Sequence, residues 1–288
     1  MNYRHSFTHG TPANRPQQPL TLDQIAHYAP SAMATAPHAS RSDRYTYIPT
    51  MNIIEGMMRE GFQPFKASQS SSRIEGKEAF TKHMIRFRHQ NTTAALAVGD
   101  SVPEIVLINS HDGTSAYKLV AGVFRLVCSN GLVVAESTTG SIAIHHKGNI
   151  LENVIEGSYR IVEDSKKALG AIAVWGNLQL TTGEQSAYAE AAHTMRFADS
   201  EGKVTTPITA AQLLRPRRAE DDAADLWHTM NRVQENVIRG GLHGVQRDPG
   251  GRRLRAVTTR AVQGIDQDVK LNRALWQLAE RMAELKRS

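Results

Sequence analysis

Between Phe62 and Val134 the chain passes through a series of short extended-looking segments, each closed by turn residues. FQPFKASQSS, TKHMIRFRHQ, PEIVLIN, AYKLVAG and VFRLVCSNGLVV are rich in β-branched and aromatic residues at the two-residue period of a strand. The connections, HDGT at His111–Thr114 and the polar NTTAALAVGDS, are short. Parallel neighbours need long crossovers, so the pattern predicts an antiparallel meander.

The flanks read as helical. TLDQIAHYA opens with Thr21 and Gln24 at capping-box spacing. RYTYIPT predicts a strand, followed by a helix capped by Thr50, with Ile53, Ile54, Met57 and Met58 on one face and Gly61 as its stop. A further helix is expected over GNILENVIEGSYRIVEDSKKAL, weakened by Gly157. After Thr205 the pattern is wholly helical. Thr206-Pro207 suits a helix start, one helix is predicted over Ala219–Arg239, and the last begins near Val257. The expected organisation is a mobile Pro-rich segment over 1–19, an α+β sheet domain over 20–204 and a helical region over 205–288. The fold class is α+β, an antiparallel β-sheet meander with helices on one face, followed by a helical C-terminal region.

Charge is unevenly placed. The formal net charge is +6, and from Ala210 to the end 15 Lys and Arg stand against 10 Asp and Glu. From Arg41 to Gln90 the count is 9 against 5. Such patches favour an acidic partner, most simply nucleic acid. In TKHMIRFRHQ, Lys82, Arg86 and Arg88 share one face at strand spacing and His83, Ile85 and Phe87 share the other. Two readings stand: a solvated outer face, or a track along a phosphate backbone. A second cationic stretch, GGLHGVQRDPGGRRLR, lies between the last two helices as a Gly-rich loop. Guanidinium forks and closely approaching backbone amides suit phosphates there. Tyr45, Tyr47, Phe62, Phe65 and Phe87 offer faces for base stacking, though most are expected in the core.

Cys128 is the single cysteine, which excludes an intrachain disulfide and a Cys-rich zinc site. No apolar run is long enough to span a membrane and no secretory core is present near Met1, so a cytoplasmic protein with no membrane partner is expected. NSHDG at Asn109–Gly113 contains His111 and Asp112, which with His145 and His146 have the chemistry of a metal site, but Asp-Gly is also what a hairpin turn requires. EDSK, with Asp164 and Lys166, has the Asp-x-Lys spacing of some metal-dependent nucleases without an upstream acidic companion. Phosphate-cradling glycine loops and H-E-x-x-H are absent. No cofactor, no metal and no enzymatic chemistry are argued by these residues.

SRSDRYTYIPT, EGFQPF, TKHMIRFR, VPEIVLINSHDGTSAYKL, FRLVCSNGLV and DVKLNRALWQLAE resemble the YfjQ/YafZ-like proteins of prophages and plasmids, a family of unknown function. RYTYIPTMNIIEGMMREGF, a strand leading into an amphipathic helix ahead of basic strands, is similar in pattern to the Rad-type single-strand annealing proteins. That resemblance implies a ring or filament of identical subunits with single-stranded DNA along a basic groove. The expected function is therefore a non-enzymatic single-stranded DNA-binding and annealing protein of a mobile element, acting in recombination. The expected contacts are Arg41, Arg44, Lys66, Lys82, Arg86, Arg88, Arg252, Arg253 and Arg255. Alternatives are a metal-dependent nuclease using His111, Asp112, Asp164 and Lys166, or an interaction protein that counters a host defence.

Overall fold

A computed structural model describes residues 18–41, 47–72, 74–92, 101–115, 117–125, 132–133, 141–144, 150–248 and 253–287. Its packing separates two compact units, Met1–Ala168 and Leu169–Ser288. The expected boundary after residue 204 instead falls beside the isolated bridge between Ala198 and Val204. Most of the segment over 1–19 and the first part of the RYTYIPT strand lie outside the described residues.

The first unit is the predicted meander. β1 (Phe62–Gln69), β2 (His83–His89), β3 (Ser101–Asn109) and β4 (Tyr117–Arg125) pair antiparallel in chain order. β5 (Leu132–Val133) and β6 (Ser141–Ile144) share the far edge of β4. The register aligns Phe87 with Ile105 and Ile105 with Ala121, so one sheet face is a continuous apolar surface. α1 (Leu22–Tyr28) has the predicted Thr21/Gln24 capping box. α2 (Thr50–Arg59) ends as expected at Gly61, whose φ of 84° is a left-handed value that glycine adopts without strain. α3 (Ile150–Trp175) covers the same apolar face: a Cβ on its Gly157 would stand 3.1 Å from Leu119 and 3.2 Å from Ile142. The glycine that weakened this helix as a prediction is what lets it lie close to the sheet.

The second unit is helical, with one departure. α4 (Thr182–Phe197) is a helix the hydrophobic spacing did not announce, and Thr181 and Glu184 close its capping box. The start expected at Thr206-Pro207 is displaced: α5 (Ala210–Leu213) has its capping box at Thr209 and Gln212. The helix expected over Ala219–Arg239 begins late, as α6 (Leu226–Arg239), because Asp225 accepts the His228 N–H and fixes the N-terminus there. α7 (Ile265–Leu285) packs Trp276 against Trp175 at 4.6 Å between ring centroids. Buried Tyr188 donates to the Leu275 carbonyl at 2.7 Å.

The departure is the Gly/Arg stretch. It forms a β-hairpin, with β7 (His243–Arg247) and β8 (Leu254–Thr258) paired His243 to Thr258 through Arg247 to Leu254. Val257, Thr258 and Thr259, expected at the start of the last helix, are β-branched and favour this pairing. The hairpin is tied at its base. Gly241 N–H donates to Thr259 O at 2.8 Å, Thr259 N–H to Leu242 O at 2.9 Å, and Val262 N–H to Ile238 O at 2.7 Å. Gly240 has φ 64°, and a Cβ on it would stand 2.6 Å from the Arg260 carbonyl carbon. Gly240→Ala is therefore expected to cost about 2 kcal/mol or more, since strain and a backbone clash coincide. Urea unfolding checks this, and a midpoint equal to the parent's would show that the hairpin base yields freely.

Candidate functional site

Three groupings of polar side chains bear on function, and the first corrects a prediction. Arg86 and Arg88 are not an exposed row. They are 1% and 4% exposed, and both faces of β2 are buried over His83–Arg88. Both arginines point to one carboxylate: Arg86 Nε donates to Glu104 Oε2 at 2.5 Å and Arg88 Nε to Glu104 Oε1 at 2.8 Å. In the register Glu104 faces Gly122 on β4, which has no side chain to compete for that space. The Arg88 guanidinium also lies 4.2 Å over the Phe65 ring. Burial pushes the Glu104 carboxyl up, but the Arg86 and Arg88 charges outweigh it and hold the group below the usual carboxylate range. For Arg88 burial is the larger effect and lowers it despite Glu104. This ion cluster is built into the sheet, so a phosphate track on the outside of β2 is not formed by these two residues.

The second grouping lies at the end of the sheet, around Thr50. This threonine is the first residue of α2 rather than its cap, and its hydroxyl is fully buried. Thr50 Oγ1 meets His83 Nε2 at 2.9 Å, and Asn109 Nδ2, His111 Nε2 and Tyr117 Oη each at 3.1 Å. Proton counting orders the set. His83 Nδ1 lies 3.1 Å from the Ser31 hydroxyl and 3.3 Å from the Thr81 carbonyl, which only accepts; a proton on Nδ1 serves that carbonyl and leaves Nε2 to accept from Thr50. Thr50 then accepts from Asn109 and from His111 Nε2–H, while Tyr117 donates to Ile48 O at 3.0 Å. The His83 and His111 rings are 5.2 Å apart. Burial, and then the His111 ring, push His83 down to about 3, so it stays neutral.

The NSHDG segment forms the rim of this cluster. Asp112 Oδ1 accepts the Thr114 N–H at 3.0 Å and the Thr114 hydroxyl at 2.6 Å. Burial pushes Asp112 up, but the Thr114 bonds, Ser110 and the charge of Lys77 hold it below its usual value. Gly113 turns the chain with φ 78°, and the exposed Arg41 guanidinium lies where its Cβ would be. This is turn chemistry. Asp164 pairs with Lys167 and Lys166 with Glu163 on the solvated side of α3, and His145 and His146 lie outside the described residues. Among the described residues, no three His, Cys, Asp or Glu side chains gather in a way that would hold a metal ion.

The third grouping is the hairpin. From Arg239 to Arg260 six arginines stand against one carboxylate, Asp248. Several guanidiniums of this unit are paired: Arg218 and Arg239 with Glu235 at 2.5 and 2.6 Å, and Arg232 with Asp222 at 3.6 Å. Arg253, Arg255 and Arg260 are exposed and make no ion pair among the described residues. On the other face of the ribbon, with Arg247, Leu254 is 71% and Val245 59% exposed. Of the other expected contacts, Lys66 is the cross-strand partner of Arg86 on β1 and, like Lys82, half-buried. Arg44 and Arg252 lie outside the described residues.

The class these observations define is a two-unit α+β protein, a buried-faced antiparallel sheet and a helical unit carrying a cationic hairpin. Among the described residues no helix is long and apolar enough to cross a membrane. The chain belongs to the family described as "Domain of unknown function (DUF932)", which matches residues 37–276. It is 45% identical over 272 residues to UPF0380 protein YafZ of Escherichia coli (strain K12), and 45% identical over 266 residues to UPF0380 protein YfjQ of the same organism. Each alignment covers 92% of this chain and 92% of the relative. The YfjQ/YafZ resemblance read from the sequence is thereby confirmed. No solved structure matches the chain.

Two predictions follow from the buried groups. Glu104→Gln leaves two buried guanidiniums without their shared carboxylate and is expected to cost about 3–5 kcal/mol. A loss under about 1 kcal/mol in urea unfolding would show that the pair is balanced elsewhere. His83 has its ordinary value near 6.5 when unfolded and about 3 when folded. Between those values the unfolded chain binds the extra proton, so stability is full above about pH 6.5 and declines as pH falls toward 3. From pH 7 to pH 5 the expected loss is about 2 kcal/mol. His83→Gln should flatten that slope, and a parent and variant with equal pH dependence would remove His83 as its cause.

Proposed function

We propose that this protein is a non-enzymatic, single-stranded DNA-binding protein whose phosphate-gripping element is the β7–β8 hairpin. The observation that supports it most is the exposure of Arg253, Arg255 and Arg260 on and beside one hairpin without an ion pair among the described residues, in a unit where Arg218, Arg232 and Arg239 are matched to carboxylates. Guanidinium forks hold phosphate oxygens in pairs, and contact limited to the backbone carries no sequence preference. Val245 and Leu254 lie on the opposite face of the ribbon, beside Arg247, where they are apolar ground for unpaired bases of a strand that wraps the hairpin, whereas a duplex hides its base faces. Gripping the backbone while the base edges stay accessible is what annealing of complementary strands requires. Recombination or DNA processing on a mobile element, with subunits repeating around a ring or along a filament, extends this reading. Light scattering that shows a monomer both alone and with oligonucleotide would remove the assembly.

One other reading has an observation in its favour. The exposed Leu254 and Val245 amid positive charge also suit an acidic protein partner, as in an interaction protein that counters a host defence. Fluorescence anisotropy with labelled single-stranded and duplex oligonucleotides across a salt series separates the two. For the parent, single strands are expected to bind more tightly, with affinity falling as salt rises. Replacing Arg253 and Arg255 together by Gln should weaken binding and reduce the log–log salt slope by roughly 1.4, about 0.7 for each phosphate contact. The thermal midpoint should hold within about 0.5 kcal/mol per exposed substitution. Unchanged slope and affinity would sink the hairpin as the contact. No binding to any oligonucleotide at low salt would select the protein partner.

A further inference from the structure

The hairpin contains a carboxylate that a phosphate-binding element has electrostatic reason to avoid. Asp248 is the single acidic residue between Arg239 and Arg260, and it lies at the end of β7 opposite Arg253. The β7–β8 ladder pairs Arg247 with Leu254 as its last rung, and the next rung is completed in an unusual way. Asp248 N–H donates to the Arg253 carbonyl at 2.9 Å. The return bond, from Arg253 N–H, goes to the Asp248 side chain, with Oδ1 accepting at 3.2 Å. A carboxylate oxygen thus takes the place that the Asp248 main-chain carbonyl would have in an ordinary antiparallel pair. The consequence is that Arg253 is bound at both its N–H and its carbonyl, one step beyond the strand. At its other end the hairpin is fixed as well, since a Cβ on Gly244 would stand 2.9 Å from the Pro207 carbonyl oxygen.

We infer that Asp248 is a positioning residue: it holds the Arg253 backbone so that the guanidinium is presented to a phosphate from a main chain already ordered before binding. This rests on the hairpin being the nucleic-acid contact. A main chain ordered beforehand gains affinity because less freedom is lost in the complex. The charge of Asp248 works against that gain, since it repels the phosphate that Arg253 attracts. The two effects have opposite signs and a single comparison separates them.

Asp248→Asn and Asp248→Ala both remove the charge, but only the asparagine side chain keeps an oxygen able to accept the Arg253 N–H. Anisotropy with a labelled single-stranded oligonucleotide should show Asp248→Ala binding about twofold to tenfold more weakly than Asp248→Asn, because the Arg253 main chain is then ordered only on binding. Its salt slope should also be shallower by up to roughly 0.7, as the Arg253 contact is lost. Asp248→Asn is expected to match or exceed the parent, by at most about fivefold for one half-buried surface charge. Exchange of the Arg253 amide hydrogen should quicken in the Ala variant and stay slow in the Asn variant, with the thermal midpoints alike. Equal affinities and slopes for the two variants would overturn the positioning role, even where the double replacement of Arg253 and Arg255 weakens binding. If that double replacement has no effect, the hairpin contact itself fails, and the fault lies with the reading beneath.

Discussion

One carboxylate, Glu104, sets the terms for the sheet. It is 2% exposed and takes a guanidinium on each of its oxygens. Moving such groups out of water costs several kcal/mol each, so they are tolerated only where geometry and hydrogen bonds nearly compensate. Compensation depends on register. A slip of one residue between β2 and β3 would carry Arg86 and Arg88 to the face that Ile85, Phe87, Ile105 and Leu107 occupy, and bring those side chains against Glu104. The ion cluster is therefore less a source of stability than a condition on pairing: the meander has one alignment in which its charges are matched. Gly122 is part of that condition, because any side chain there would stand opposite Glu104.

The Thr50 cluster applies the same logic to the helix that covers the sheet. Each of its members comes from a different place in the chain: α2, the start of β2, the end of β3, the turn after it, and the start of β4. A hydroxyl with one proton and two lone pairs can serve them only in a limited set of arrangements, and the Thr81 carbonyl, which only accepts, favours the one with a proton on His83 Nδ1. A buried hydrogen-bonded network of this kind defines where α2 sits as an apolar contact cannot. It also explains why a segment as polar as NSHDG reads like a catalytic motif. Asn109 and His111 are directed inward to satisfy buried partners, and Asp112 and Gly113 make the turn.

Period and turn chemistry made the meander legible, together with α1, the C-terminal stop of α2 and the body of α3. Alternation alone could not say which face of β2 meets solvent, because an arginine on a strand looks the same whether water or a carboxylate neutralises it. The missing signal was on β3. Glu104 is an acidic residue inside an otherwise apolar strand, and a carboxylate in such a place demands buried cations. α4 went unread because TGEQSAYAEAAHTMRF has few large apolar residues, and its helix is marked by Thr181 and Glu184 more than by periodicity. The Gly/Arg stretch was read as a loop because its glycines outweighed two short strands. Of these, Gly240 is needed for a left-handed bend and Gly244 for close approach to Pro207, both consistent with a hairpin.

Where the structure neutralises its arginines and where it leaves them exposed separates those committed to the fold from those available to a partner more sharply than their number does. Arg86, Arg88, Arg218 and Arg232 are held against carboxylates and have little freedom to meet a ligand without breaking an internal pair. Breaking a buried pair is costly, whereas an exposed guanidinium trades only water for phosphate. The positive charge first visible as a property of the whole chain is thus two populations with different work. The buried one specifies the strand register and the helix contacts. The exposed one is concentrated on a two-stranded ribbon anchored by Gly240, Gly241 and Thr259. Such a ribbon presents its side chains at strand spacing, about 6.5–7 Å between alternate residues. That is near the separation of successive phosphates in an extended strand, so Arg253 and Arg255 match the repeat that Arg86 and Arg88 have in sequence but hold in the core.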